Sequence, residues 1–123
     1  MDEFTAERAA QVLAAALEGP GGKSAPESVL ASFAEVPGVE FVPARAGGLL
    51  RKGEPARLDV GQWRFLAGDR MRVSHVVGGV VLKTSDMPPV AAARLLADAL
   101  LDSTWGSEVQ AVLYGMAVVH GLL

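Results

Sequence analysis

The chain has 123 residues, half of them apolar and a fifth charged, with a net charge of −3. That suffices for one folded domain over 1–123 and is too apolar for a disordered chain. Cysteine is absent, which excludes disulfides, thiol nucleophiles and thiolate metal sites, and without asparagine there is no N-glycosylation acceptor.

The first ten residues, MDEFTAERAA, are acidic and lack the basic start and apolar core of a signal peptide, so a cytoplasmic location is expected. A first helix is predicted over about 3–18, where Ala, Leu, Glu, Gln and Arg dominate. Its stripe of Phe4, Ala9, Ala10, Leu13, Ala16 and Leu17 is mostly methyl groups. Small side chains bury little area, which predicts a weakly held flap or an oligomer contact. Gly19-Pro20-Gly21-Gly22 ends this helix. Ser24 and Glu27 then read as a capping box for a helix over about 25–35, with Val29, Leu30 and Phe33 facing inward. Val36-Pro37-Gly38 stops it.

Val39–Val42 is predicted as an edge strand closed by Pro43. Residues 44–57 are ambiguous: Gly47 to Lys52 suits a strand, with Gly53-Glu54-Pro55 as its turn. The centre of the chain is Trp63 to Ser85. A Gly61-Gln62 turn pairs Val60 with Trp63 and Leu58 with Phe65. An odd-length loop around Gly68-Asp69 keeps Trp63 and Phe65 on the side of Met71, Val73 and His75, because a one-residue slip would flip every side chain. A two-residue Gly78-Gly79 turn pairs Val77 with Val80, His75 with Leu82 and Val73 with Thr84. The opposite side then holds Val76 with Val81, Ser74 with Lys83 and Arg72 with Ser85.

After Ser85 the period becomes helical. Ser85 or Asp86 is read as the cap of a helix over about 88–103, with Val90, Ala93, Ala97 and Leu100 inward, flanked by Leu96 and Leu101. Ser107 and Gln110 offer a second capping box for a last helix over about 107–121. There Val109, Val112, Leu113, Met116 and His120 share one side, while Ala111, Gly115, Val118 and the nearby Tyr114 make the other apolar too. A helix apolar all round is expected to be central or half covered by a second subunit. The run Val109–Leu123 is shorter than the ~20 residues of a membrane span, so no membrane association is expected.

The resulting fold class is α+β: a small antiparallel sheet of three to five strands, centred on 63–85, with helices before and after it. The C-terminal helices are expected to cover the face of Trp63, Phe65, Met71, Val73, His75, Val77, Val80 and Leu82. Charge follows the elements. Residues 41–83 carry +5, against −5 for 1–40 and −3 for 84–123. Arginine outnumbers lysine eight to three and isoleucine is missing, a usage typical of a high-GC bacterial genome.

No nucleophile elbow, phosphate loop or dinucleotide fingerprint is present, and two histidines without helical H-x-x-H or H-x-x-x-H spacing argue against a metal. No cofactor and no catalytic residue is assigned. Two groups of side chains stand out. On the outer face Arg64, Leu66, Arg70, Arg72, Val76, Val81 and Lys83 mix bases with aliphatics, as protein interfaces do. On the inner face His75 beside Trp63 marks a possible pocket. The reading is a small non-enzymatic binding or adaptor protein acting through protein–protein contacts, as a homo-oligomer. Two alternatives remain open. One is a nucleic acid or other anionic ligand on the basic face, disfavoured because that face has no aromatic ring for bases to stack on. The other is a small-ligand-binding protein or enzyme with its pocket near His75.

Overall fold

The computed structural model describes residues 4–18, 25–49, 53–68, 70–103 and 106–122. Two helices, α1 (Ala6–Glu18) and α2 (Ala25–Ala31), precede five strands. These are β1 (Val39–Val42), β2 (Arg57–Val60), β3 (Trp63–Leu66), β4 (Met71–Val77) and β5 (Val80–Met87). Two further helices follow, α3 (Pro89–Ser103) and α4 (Gly106–Val119). The strands form one antiparallel meander in sequence order, with β1 and β5 at the edges. Arg45 and Glu54 make an isolated bridge before β2. The candidate strand after Gly48 lies largely outside the described residues.

Turn chemistry sets the pairing. Val60 opposes Trp63 and Leu58 opposes Phe65 across a turn where Gly61 has φ +57°. Leu66 opposes Arg72, so an odd loop separates β3 from β4 and the apolar side chains stay on one side. Gly78 and Gly79 have φ of +58° and +80°, the left-handed pair that a two-residue hairpin turn requires. Beyond Val76↔Val81 the expected register fails. His75 opposes Lys83 rather than Leu82, Ser74 opposes Thr84, Val73 opposes Ser85 and Arg72 opposes Asp86. Leu82 is the extra residue of a β-bulge, which moves every later β5 side chain by one position. Consequently Lys83 and Ser85 sit on the inner face with His75 and Val73, not on the outer face with Arg72.

The inner face buries Leu58, Val60, Phe65, Met71 and Val73, and α2 and α3 lie against it. Val77, Val80 and Leu82 belong to the hairpin end instead and are 38%, 60% and 60% exposed. The core behind the sheet is helical. α1 packs chiefly on α3, and its Ala9, Val12, Leu13, Ala16 and Leu17 are all buried. The buried side chains of α3 include Ala92, Ala93, Leu96 and Ala97, and small residues on both helices allow close approach of the two axes. The methyl-rich stripe is therefore core, not a flap. In α3, Val90 is 63% exposed while Ala92 is buried, a rotation of the expected stripe.

Local caps differ from expectation as well. Thr5 caps α1, its Oγ1 accepting from Arg8 N at 3.2 Å. Gln110 caps nothing: its Oε1 accepts from Phe4 N at 2.6 Å and its Nε2 donates to Phe4 O at 3.2 Å, fastening the start of the chain to α4. Asp86 stays in β5, which runs on to Met87, and α3 begins at Pro89, a position where a missing N–H costs nothing. Ser24 of the first capping box lies outside the described residues.

Candidate functional site

Period-two alternation places Glu40, Arg57, Asp59, Arg64, Leu66, Arg72, Ser74, Thr84 and Asp86 on the outer sheet face. This face is not basic. Three arginines meet three acids across strands. Arg64 Nε donates to Asp59 Oδ1 at 3.0 Å, and Arg72 Nε to Asp86 Oδ1 at 3.0 Å. Arg57 lies 3.3 Å from Asp59 and 3.8 Å from Glu40, its Nε buried in ionic contact with Asp59 but not aligned for a hydrogen bond. Ser74 is buried beneath this ladder and shares a 3.0 Å hydroxyl–hydroxyl bond with Thr84. Opposite charges directly across a sheet stabilise the pairing, and they also cancel the field that would attract a polyanion.

Three of the seven proposed partner residues converge. Leu66, Arg70 and Arg72, with Pro55, Gly68 and Asp86, line an open depression of about 620 Å³ at one end of the outer face. Val76 and Val81 oppose each other at the other end, beside the hairpin turn. Lys83 does not join them; the bulge carries it to the inner face.

His75 and Trp63 do come together. Their rings stack with centroids 4.7 Å apart and planes 24° from parallel. Direct cross-strand pairing explains this, since Trp63 and His75 are partners in the β3–β4 ladder. His75 Nε2 lies 3.3 Å from Gln62 Oε1, so its polar neighbour is an amide and not a carboxylate. Beside the stack, between the inner face and α3, is a cleft of about 160 Å³. Val73, Met87 and Leu95 complete its apolar lining, and Lys83 and Ser85 add polar groups. Among the described residues no cluster of His, Asp and Glu could hold a metal ion, and no helix is long and apolar enough to cross a membrane.

A third surface involves α4. Val109, Leu113, Met116 and Ala117 are buried on one side of it. The exposed positions from Ala111 onward are Ala111, Tyr114, Gly115, Val118, Val119, Gly121 and Leu122, none of them charged, while Glu108 in the first turn is exposed too. A family model, described as a domain of unknown function (DUF5073), matches residues 1–120. The chain belongs to the DUF5073 family. No curated protein and no solved structure matches it.

In this DUF5073 chain, sequence reasoning missed Ser85, Met87 and Leu95 as neighbours of His75. A signal for the first two was present. Only a one-residue shift in β5 puts Arg72 opposite Asp86 and Ser74 opposite Thr84, two complementary pairs that the unshifted register lacks. Leu95 carries no such signal, because the approach of α3 to the sheet is set by tertiary packing.

Proposed function

We propose that this chain is a small non-enzymatic binding protein that works through protein–protein contacts, beginning with its own self-association through α4. The observation that carries this reading is the outer side of α4 beyond its first turn. Glu108 is exposed there at the start, but no exposed position from Ala111 onward is charged, and Tyr114 is 41% and Val118 54% exposed at i, i+4 spacing. A helix face turned to water ordinarily carries charged side chains, whereas interface cores favour aromatics and deplete charge. Self-association would bury this stripe and meet the expectation of a second subunit over half of the helix.

The outer sheet face offers the surface for a different protein partner. Arg64, Leu66, Arg70, Arg72, Val76 and Val81 remain its candidate residues, with Lys83 removed from the set. Their charges are largely matched by Asp59 and Asp86, a pattern suited to a polar interface rim rather than to a phosphate backbone. His75 faces the Gln62 amide rather than a carboxylate partner that would orient it as an acid or base, which supports the non-enzymatic reading.

Light scattering on a sizing column tests the self-association. The expected result is a dimer or higher oligomer at micromolar concentration, and a monomer for Val118→Glu with unchanged circular dichroism. A monomeric parent protein at that concentration would sink the reading.

A further inference from the structure

We propose that the cleft between the inner sheet face and α3 is a binding site for a small aromatic carboxylate. It stands apart from the α4 surface and does not depend on self-association. Three observations carry it. The first is size: the cleft measures about 160 Å³. An apolar cavity of about 150 Å³ holds one benzene ring, so the space suits a single ring. The second is the character of the walls. Val73, Met87 and Leu95 are aliphatic or thioether surfaces, and the Trp63–His75 stack offers a flat aromatic side against which a further ring can lie offset.

The third observation is charge. Lys83 lines the cleft and makes no ion pair among the described residues, whereas Arg57, Arg64 and Arg72 on the opposite sheet face each have an acidic partner. No Asp or Glu occupies an inner-face position of the five strands, so the fixed charge at the cleft is positive. The β-bulge at Leu82 is what creates this arrangement. It turns Lys83 and Ser85 onto the side of His75 and supplies a cation and a hydroxyl to an otherwise apolar pocket. A ligand that matches all of this has an apolar ring inside and an anionic group at Lys83, with the Ser85 hydroxyl free to donate to a second oxygen. A bare phosphate would leave the apolar walls unfilled, and a neutral ring would leave Lys83 unanswered.

Benzoate is the probe, titrated into ¹⁵N-labelled full-length protein with benzyl alcohol as the neutral control. The expected result is saturable shifts at the Trp63 indole N–H and the amides of His75, Lys83 and Ser85, with a dissociation constant in the millimolar range, about that of a nine-atom ligand. Benzyl alcohol should bind about tenfold more weakly, and Lys83→Gln should weaken benzoate about tenfold while leaving benzyl alcohol unchanged. Absence of saturable shifts, shifts scattered away from the cleft, or equal benzoate affinity in Lys83→Gln would each overturn the proposal.

Discussion

Asp59 is the residue on which the outer face turns. Its side chain is only 25% exposed and it meets both Arg57 and Arg64. Changing it to Asn leaves two neighbouring guanidiniums, each about 30% exposed, without their shared anion. The expected cost is about 1–3 kcal/mol, read as a lower urea midpoint, because an ionised group deprived of its partner keeps its desolvation penalty. High salt should shrink the difference between the two proteins by screening the repulsion of the two arginines. An unchanged midpoint would reduce the ladder to a solvated surface pattern. Asp86→Asn should matter less, since Arg72 and Asp86 are each half exposed or more and water already screens them. Arg64 and Arg72 of this face were legible from alternation alone, whereas Arg57 was not among the expected residues. The acids were not legible, because charge counted along the chain assigns Glu40 and Asp86 to the acidic segments outside 41–83, whereas the strands carry them beside the bases.

At the scale of elements, α1 shows how composition misleads. An alanine-rich stripe suggested a weakly held helix, yet α1 makes the main helix–helix contact of the fold with α3. Leu13 is completely buried in it. Leu13→Ala is therefore expected to cost about 2–5 kcal/mol in equilibrium unfolding, the range for a core leucine whose cavity cannot collapse. A flap would lose less than about 0.5 kcal/mol from the same change, so the measurement separates the two pictures. The β4–β5 hairpin gives the complementary case. Its turn and its first two pairs followed from Gly78-Gly79, but a register propagated from a turn holds only until a bulge intervenes. The apolar run Val80-Val81-Leu82 hid the bulge, because no polar residue marked which of the three would lose its partner. The complementarity of Arg72 with Asp86 and Ser74 with Thr84 lay further along the strand and outvotes the turn.

For the molecule as a whole, the distribution of charge decides among partners. The +5 of residues 41–83 invited a polyanion. Folding sets Glu40, Asp59 and Asp86 among Arg57, Arg64 and Arg72, so the outer face of the sheet is balanced rather than basic. The chain is thus expected to leave a single-stranded oligonucleotide unbound at about 100 mM salt, with no anisotropy change at micromolar protein. Binding that falls steeply as salt rises would contradict this, since neutralised phosphates release counterions in proportion to the cations that contact them.

Sequence alone was sufficient for the class of fold, the order of its elements, the glycine turns and the pairing of β2, β3 and the hairpin end. Each of these depends on residues close along the chain: a period of two or 3.6, a positive φ that only glycine takes cheaply, a proline that ends an element. Tertiary structure alone decided where α1 and α3 meet, which side of α4 stays uncovered, that the outer face is charge-balanced, and that Lys83 stands beside His75 above a cleft closed by Leu95. Those outcomes depend on residues far apart in the chain competing for the same space, and on one unpaired leucine that shifts a strand. Local rules fix neither by themselves, although the Arg72–Asp86 and Ser74–Thr84 pairs that the shift creates were a signal for the second.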